Sequence, residues 1–210
     1  MRQPTLLVKD LESGKGRASS VYCSYPMSSQ PSIPAENPRP ESPSQHGLLK
    51  LVVLDRAYSE KICSLEQQCY PNPWSAELIA GEFDKAISFR PGFLQGEHLV
   101  AYSFNYLVAD ELHVLNLAVH PEHRSRGLGR RLLAYILSYA ARNGAAYATL
   151  EVRESNAVAQ SLYVSVGFKV IGLRKSYYRD NGENALILER KLSPEFTLGN
   201  LFNFKRYKHR

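Results

Sequence analysis

The sequence predicts a mixed α/β domain, and three observations carry that prediction. Between residues 47 and 192, apolar runs of strand length alternate with stretches whose apolar residues recur every three or four positions. Gly, Pro, Asn or Asp punctuate nearly every junction. There is no internal repeat, and no run approaches the ~18 apolar residues that a membrane helix needs.

Leu48 to Leu54 is an apolar run of strand length. Ser59 to Tyr70 reads as a helix, with Ile62, Leu65, Glu66 and Cys69 at helical spacing, and Pro71-Asn72-Pro73 ends it. Ser75 is placed to cap a second helix carrying Leu78, Ile79 and Phe83. Ala86 to Leu94 and Leu99 to Val108 read as strands joined by Gln95-Gly96-Glu97. Glu111 to Val119 is a further strand, stopped by His120-Pro121. The strongest helix runs from Gly127 to Arg142, where Leu128, Leu132, Ile136 and Ala140 repeat every four residues beside Leu133 and Leu137. Asn143-Gly144 ends it. Ala146 to Arg153 is a strand, and Ser155 is expected to cap a helix through Val166 that Gly167 stops. Phe168 to Leu173 and Ala185 to Arg190 complete the set as strands around Asp180-Asn181-Gly182. The expected order is β-α-α-β-β-β-α-β-α-β-β.

Charge divides the chain of 210 residues into three parts. The whole has a formal net charge of +6, with 44% hydrophobic and 22% charged residues, which excludes wholesale disorder, collagen and coiled coil. Residues 1–46 hold 9 Ser and 7 Pro and a net +1, so a disordered extension is expected there. Asp10 and Glu12 argue against a transit peptide, although organelle targeting stays open. Residues 47–192 form the expected domain, net +2 over 146 residues. Residues 193–210 carry Lys205, Arg206, Lys208 and Arg210 against Glu195, net +3. Three Cys, an odd number, suggest a reducing, cytoplasmic setting. His113, His120 and His123 lack metal-ligand spacing, so no metal is expected.

The segment Arg124-Ser125-Arg126-Gly127-Leu128-Gly129-Arg130 lies between a strand and the best helix. Its glycines let a backbone approach a ligand. The first helical turn offers unpaired N–H groups at the positive end of the dipole, which suits a pyrophosphate. It lacks the Gly-Lys-Ser/Thr of a Walker loop and the glycine spacing of a dinucleotide fingerprint. These residues alone leave a second reading open, a Gly-containing helix start with solvated arginines.

An ordered set of motifs surrounds this loop: Asn116-Leu117-Ala118-Val119-His120-Pro121, then Arg-x-x-Gly-x-Gly, then Leu150-Glu151-Val152-Arg153-Glu154-Ser155-Asn156, then Leu162-Tyr163-x-x-x-Gly167-Phe168. Over roughly 48–192 the chain resembles the GNAT acetyltransferase superfamily. With Asn72-Pro73-Trp74-Ser75 and Tyr177-Tyr178 it is similar to the RimI-type branch, whose members acetylate the N-terminal alanine of a small-subunit ribosomal protein. The resemblance implies a mostly antiparallel twisted sheet, splayed at an acetyl-CoA cleft and flanked by about four helices. It implies that main-chain groups of Leu117, Ala118 and Val119 hold the pantetheine of acetyl-CoA. Amides from Arg124, Ser125, Arg126, Gly127, Leu128, Gly129 and Arg130 would hold the pyrophosphate, with Asn156 a further cofactor contact.

The resemblance makes Glu151 the general base, acting through water, and Tyr163 the general acid for the leaving thiolate. From the residues alone, Glu151 could instead pair with Arg153 on the same strand face, Tyr163 could pack in the core, and Asn156 could be a polar residue of a first helical turn. Trp74, Tyr177 and Tyr178 border the acceptor groove in this branch; ordinary loop packing is their alternative. Direct transfer needs no nucleophilic Cys, so Cys63 and Cys69 are expected to be incidental. The implied partner is a protein N-terminus of a small-subunit ribosomal protein, with no membrane. Phe196, Phe202, Phe204 and Tyr207 among the basic residues of the tail would suit a weak contact with rRNA. Other N-termini or Lys side chains are alternative acceptors, and a non-catalytic CoA- or RNA-binding module is a further alternative. Neither oligomeric state nor acceptor identity is read from the sequence.

Overall fold

The structure, a computed structural model, describes residues 48–193. The expectations for the extension 1–46 and for the tail beyond Ser193 lie outside the described residues.

In chain order the elements are β1 (Leu49–Val53), α1 (Ser59–Cys69), α2 (Ala76–Glu82), β2 (Ser88–Phe89), β3 (Pro91–Gln95), β4 (His98–Val108) and β5 (Glu111–Val119). Then follow α3 (Leu128–Arg142), β6 (Tyr147–Arg153), α4 (Ala157–Ser165), β7 (Lys169–Arg174) and β8 (Ala185–Lys191). The strands form one sheet in the order β1-β3-β4-β5-β6-β8-β7, with β2 pairing β4 beside that path. Only β5 and β6 run parallel; every other pair is antiparallel. The parallel pair needs a crossover, which α3 supplies. The mixed α/β class, the mostly antiparallel sheet and the four helices agree with the expectation.

Helices cover the sheet on both sides. Leu128, Leu132, Leu133, Ile136, Leu137 and Ala140 of α3 bury their stripe against Leu112, Val114, Leu150 and Val152, and Tyr163 of α4 joins that core. Each large side chain so buried contributes about 1.5–3 kcal/mol. On the other face Ile62 and Leu65 of α1 and Ile79 of α2 pack on Tyr102, Phe104 and Ala118. Ser75 caps α2 as expected, its Oγ accepting from the Leu78 N–H at 3.2 Å.

Two expectations are corrected. The strand expected over Ala86–Leu94 is broken at Arg90 into β2 and β3. The Arg90 guanidinium donates to the carbonyls of Leu54, Glu82 and Ser88, and Pro91 begins the second piece. A side chain that ties three backbone segments together replaces the ladder at that point. The cap of α4 is Asn156, not Ser155: the Asn156 carboxamide oxygen accepts from the Ala159 N–H at 3.1 Å. The Ser155 N–H is committed to the Glu183 carboxylate at 2.6 Å, which holds Ser155 outside the helix.

β5 is where the sheet opens. Its ladder with β4 shifts register between Phe104 and Asn105: Phe104 pairs Asn116 while Asn105 pairs Val114, leaving Leu115 as a bulge. Its ladder with β6 ends one residue earlier, at Val114 and Leu150. From Leu115 to Val119 and from Glu151 to Arg153 the two neighbours part, and a gap opens between them.

Candidate active site

The open edge of β5 faces this gap with its own backbone. The His120 N–H donates to the Val100 carbonyl of β4 at 2.9 Å. Alternation along the strand therefore turns the amide groups of Leu117 and Val119 away from β4, into the gap. The Leu117 carbonyl accepts from the Tyr70 hydroxyl at 2.8 Å. The Val119 carbonyl accepts from Arg124 Nε at 3.1 Å and lies 3.4 Å from the Cys69 thiol. Of the expected pantetheine-binding trio, Leu117 and Val119 thus present main-chain groups to the gap, while the backbone of Ala118 serves the β4 ladder.

At the foot of the gap α3 begins. Gly127 is its N-cap in a left-handed conformation, φ 76°, and no side chain caps the helix. Ser125, at φ 58°, makes the preceding bend. The Arg131 N–H is the first to find a helical carbonyl, that of Gly127 at 3.0 Å, so the N–H groups ahead of it point out of the helix end. A Cβ on Gly129 would lie 3.3 Å from Leu162 and 3.5 Å from Val119, so this residue brings the helix start close against α4 and the end of β5. Arg124, Ser125, Arg126 and Gly127 are exposed, Leu128 is buried, and Gly129 and Arg130 are half-buried. The arrangement is an exposed, positive helix end able to take an anion.

Glu151 is the first β6 residue past the last pair with β5, and it points to the face of the sheet that α3 does not cover. Its carboxylate faces Arg174 at 3.4 Å, with side-chain exposures of 27% and 24% respectively. The expected alternative partner, Arg153, is engaged elsewhere: it pairs with Asp180 at 2.7 Å and Glu183 at 3.2 Å. It also lies 3.8 Å from the centroid of the Tyr178 ring. Tyr177 stands edge-on to Tyr178, with Arg174 over its ring at 5.7 Å. Burial pushes the Tyr177 hydroxyl above its ordinary range, and the nearby Glu151 adds to this. Trp74 stacks on Phe104 at 5.4 Å. A bond from the Asn72 carboxamide to Asp180, 2.7 Å, ties the loop carrying Trp74 to the loop that follows Tyr178.

Tyr163 is buried on α4, edge-on to Phe168 at 5.9 Å, and burial pushes its hydroxyl up to about 12. It lies close enough to Tyr70 to help raise that hydroxyl well above its ordinary range, the larger cause being burial. Tyr163 from α4 and Tyr70 from the end of α1 belong to the cores on opposite faces of the sheet. Sequence reasoning missed Tyr70, Glu66, Arg174 and Asp180. One signal was visible: Glu66 is a carboxylate on the apolar stripe of a helix. A groove of about 900 Å³ between α1 and the β3–β4 turn touches the loop at Arg126 but includes neither Glu151 nor Tyr163. Among the described residues no group of three His, Cys, Asp or Glu is placed to hold a metal, and no helix is long and apolar enough to cross a membrane.

Residues 59–168 match the family model described as the acetyltransferase (GNAT) family. The chain belongs to the GNAT acetyltransferase family. A relative in Escherichia coli strain K12, [ribosomal protein bS18]-alanine N-acetyltransferase, is 34% identical over 132 residues, which cover 61% of this chain and 88% of that protein. The N-alpha-acetyltransferase RimI of Mycobacterium tuberculosis is 36% identical over 143 residues, 65% of this chain and 89% of its own. The crystal structure of the ribosomal-protein-S18-alanine N-acetyltransferase from Escherichia coli superposes with a TM-score of 0.66 at 30% identity, covering 70% of this chain and 95% of that one. This GNAT chain is an acyltransferase that uses acetyl-CoA as co-substrate.

Proposed function

We propose that the chain acetylates the N-terminal α-amine of a protein, the N-terminal alanine of a small-subunit ribosomal protein being the acceptor. The observation that carries the reading is the position of Glu151, an ionisable side chain at the first residue of β6 past its last pair with β5, beside the opening between the two strands. The residues fit acetyl-CoA. The uncapped start of α3 suits a pyrophosphate, and the gap-facing edge of Leu117 and Val119 suits the amides of pantetheine. The close approach at Gly129 sets the helix start against α4 and the end of β5, beside the gap. Asn156, whose carboxamide oxygen caps α4, keeps its NH₂ as a donor toward the same ligand.

Acetyl-CoA supplies the activated acyl group and a thiolate leaving group. The chain's own residues handle protons. An amine attacks only when neutral, and an α-amine of pKa ~8 is neutral about one time in ten at pH 7, a Lys of pKa ~10.4 roughly one time in two thousand. A carboxylate relaying through water is matched to the former. Glu151 takes the proton that the amine nitrogen loses as its new bond to the acetyl carbon forms. Tyr163, a phenol protonated at neutral pH and pushed up to about 12 by burial, gives a proton toward the departing sulfur. Trp74, Tyr177 and Tyr178 border the approach to Glu151 and would contact the acceptor's first residues. The domain doing this work is assigned to residues 47–192.

Mass spectrometry of peptide products tests the acceptor. Ala-starting peptides should be acetylated at the α-amine, and N-blocked Lys peptides should not; equal modification of both would overturn the N-terminal reading. The Escherichia coli relative named for bS18 supports the ribosomal acceptor, and acetylation of that protein's N-terminus in the presence but not the absence of this chain is the expected result.

A further inference from the structure

A buried polar network backs the open edge of β5 on the α1 side, and the mechanism above uses none of its side chains. Glu66 of α1 is fully buried; its Oε1 accepts from the Asn116 carboxamide, and its Oε2 has no hydrogen-bond partner. Asn116 Nδ2 also reaches the Tyr102 hydroxyl at 3.3 Å. The carboxamide oxygen of Asn116 lies 2.7 Å from the Tyr70 hydroxyl, which lies 2.8 Å from the Leu117 carbonyl. The neighbouring residues Leu54, Ile62, Leu65 and Phe104 are apolar. A carboxyl, a carboxamide and two hydroxyls in such a cluster are costly to bury unless their bonds serve something.

What they hold is the peptide backbone on both sides of Leu117. The carbonyl before it, that of Asn116, accepts from Ser103 Oγ at 2.7 Å, and the carbonyl of Leu117 itself meets Tyr70. β5 has lost its β6 partner here, so these side chains replace the ladder that would keep the edge in place. A carbonyl has two lone pairs, so Leu117 can meet Tyr70 and still accept from a ligand N–H in the gap. Glu66 orients the Asn116 carboxamide, and the single proton of the Tyr70 hydroxyl is shared between the Asn116 carboxamide oxygen and the Leu117 carbonyl at the gap.

We infer that Tyr70, held by Asn116 and the buried carboxyl of Glu66, is a positioning residue that sets the Leu117 edge of β5 against acetyl-CoA. The inference rests on the function proposed above. Tyr70→Phe keeps the ring and removes the hydroxyl, and the full chain serves for the test. Calorimetry should give a Kd for CoA raised about fivefold, the loss of one neutral hydrogen bond. Because a small misplacement of reacting atoms is amplified in the rate, kcat on an Ala-starting peptide should fall about tenfold with the KM for peptide unchanged. A purely structural role would lower the calorimetric stoichiometry and leave the Kd of the folded molecules alone. Should Y70F melt below the assay temperature, Glu66→Gln carries the test, with a smaller shift in the same direction. Wild-type Kd and kcat per folded molecule in either folded variant would overturn the inference. If the wild-type chain binds CoA but acetylates no amine, and Y70F still weakens that binding, the acceptor reading fails while the hold of Tyr70 on the edge stands.

Discussion

Glu151→Gln separates chemistry from binding, because the substitution keeps shape and removes charge. Its effect on stability follows from the contact with Arg174. At 3.4 Å the gross attraction is about 5 kcal/mol at an effective dielectric of ~20. Both side chains are about a quarter exposed, so desolvation and side-chain entropy cancel most of that, and the net loss is about 0–1 kcal/mol. The folded population should therefore hardly change. The rate is different. A positioned general base contributes about 10²–10⁴-fold, or roughly 3–5 kcal/mol of barrier at ~1.36 kcal/mol per decade. A time course of peptide acetylation by mass spectrometry should show kcat lowered at least a hundredfold. Calorimetric binding of CoA should stay within about twofold, since the charge sits on β6 and the proposed anion site is at α3. Turnover within threefold of wild type would refute Glu151 as the base, and the loop-bordered face around it would lose its assigned purpose.

Tyr163→Phe should cost about 10–100-fold in kcat with CoA binding nearly intact, read in the same two assays. Tyr163 also makes an alkaline prediction: its folded pKa of about 12 lies above the unfolded value of ~10, so its contribution is complete below pH 10 and is lost as pH rises toward 12, a change of about 3 kcal/mol that denaturant melts of Y163F should lack. Gly129→Ala should leave the melting temperature within a few degrees, because the added methyl meets only the ends of Leu162, Val119 and Leu117 and gains helix propensity, but should weaken CoA binding about tenfold by pushing the helix start away from α4 and the end of β5. At the acid end, the Ser155 N–H and hydroxyl hold the Glu183 carboxylate down at about 2, with Arg153 adding to it, so its contribution is present above pH ~4.5 and lost as pH falls toward 2; melts of Glu183→Gln against pH should show a flatter acid limb than wild type.

The elements that local patterning governs were legible in the sequence. The four-residue repeat of α3, the Ser75 cap and the strand of Glu111–Val119 all rest on neighbours within a turn or two, and they stand where expected. What failed rests on distant partners. The break at Arg90 depends on carbonyls of Leu54 and Glu82, and the cap shifted to Asn156 because Glu183, nearly thirty residues away, claims the Ser155 amide. No local rule reports either.

The site divides along the same line, and Glu151 shows why. Period-two alternation does place Arg153 on its face, but neighbours two apart on a strand lie nearly 7 Å apart, too far for a direct pair without bending both side chains back. The register supplies a shorter route. Glu151 pairs with Ile187 of β8, which pairs with Gly172 of β7, and Arg153 stands in the next row with Ala185 and Arg174. Ala185 brings little bulk between Arg153 and Arg174, so Arg174 reaches across β8 to the carboxylate. Asp180 and Glu183, brought round by the β7–β8 loop, draw Arg153 the other way. The carboxylate could be found from its motif, whereas its counter-charge was decided by a small residue on another strand. A bulkier residue there should therefore disturb Glu151 without touching it: Ala185→Val would push Arg174 off, and the test is whether kcat per folded molecule falls while CoA affinity stays unchanged.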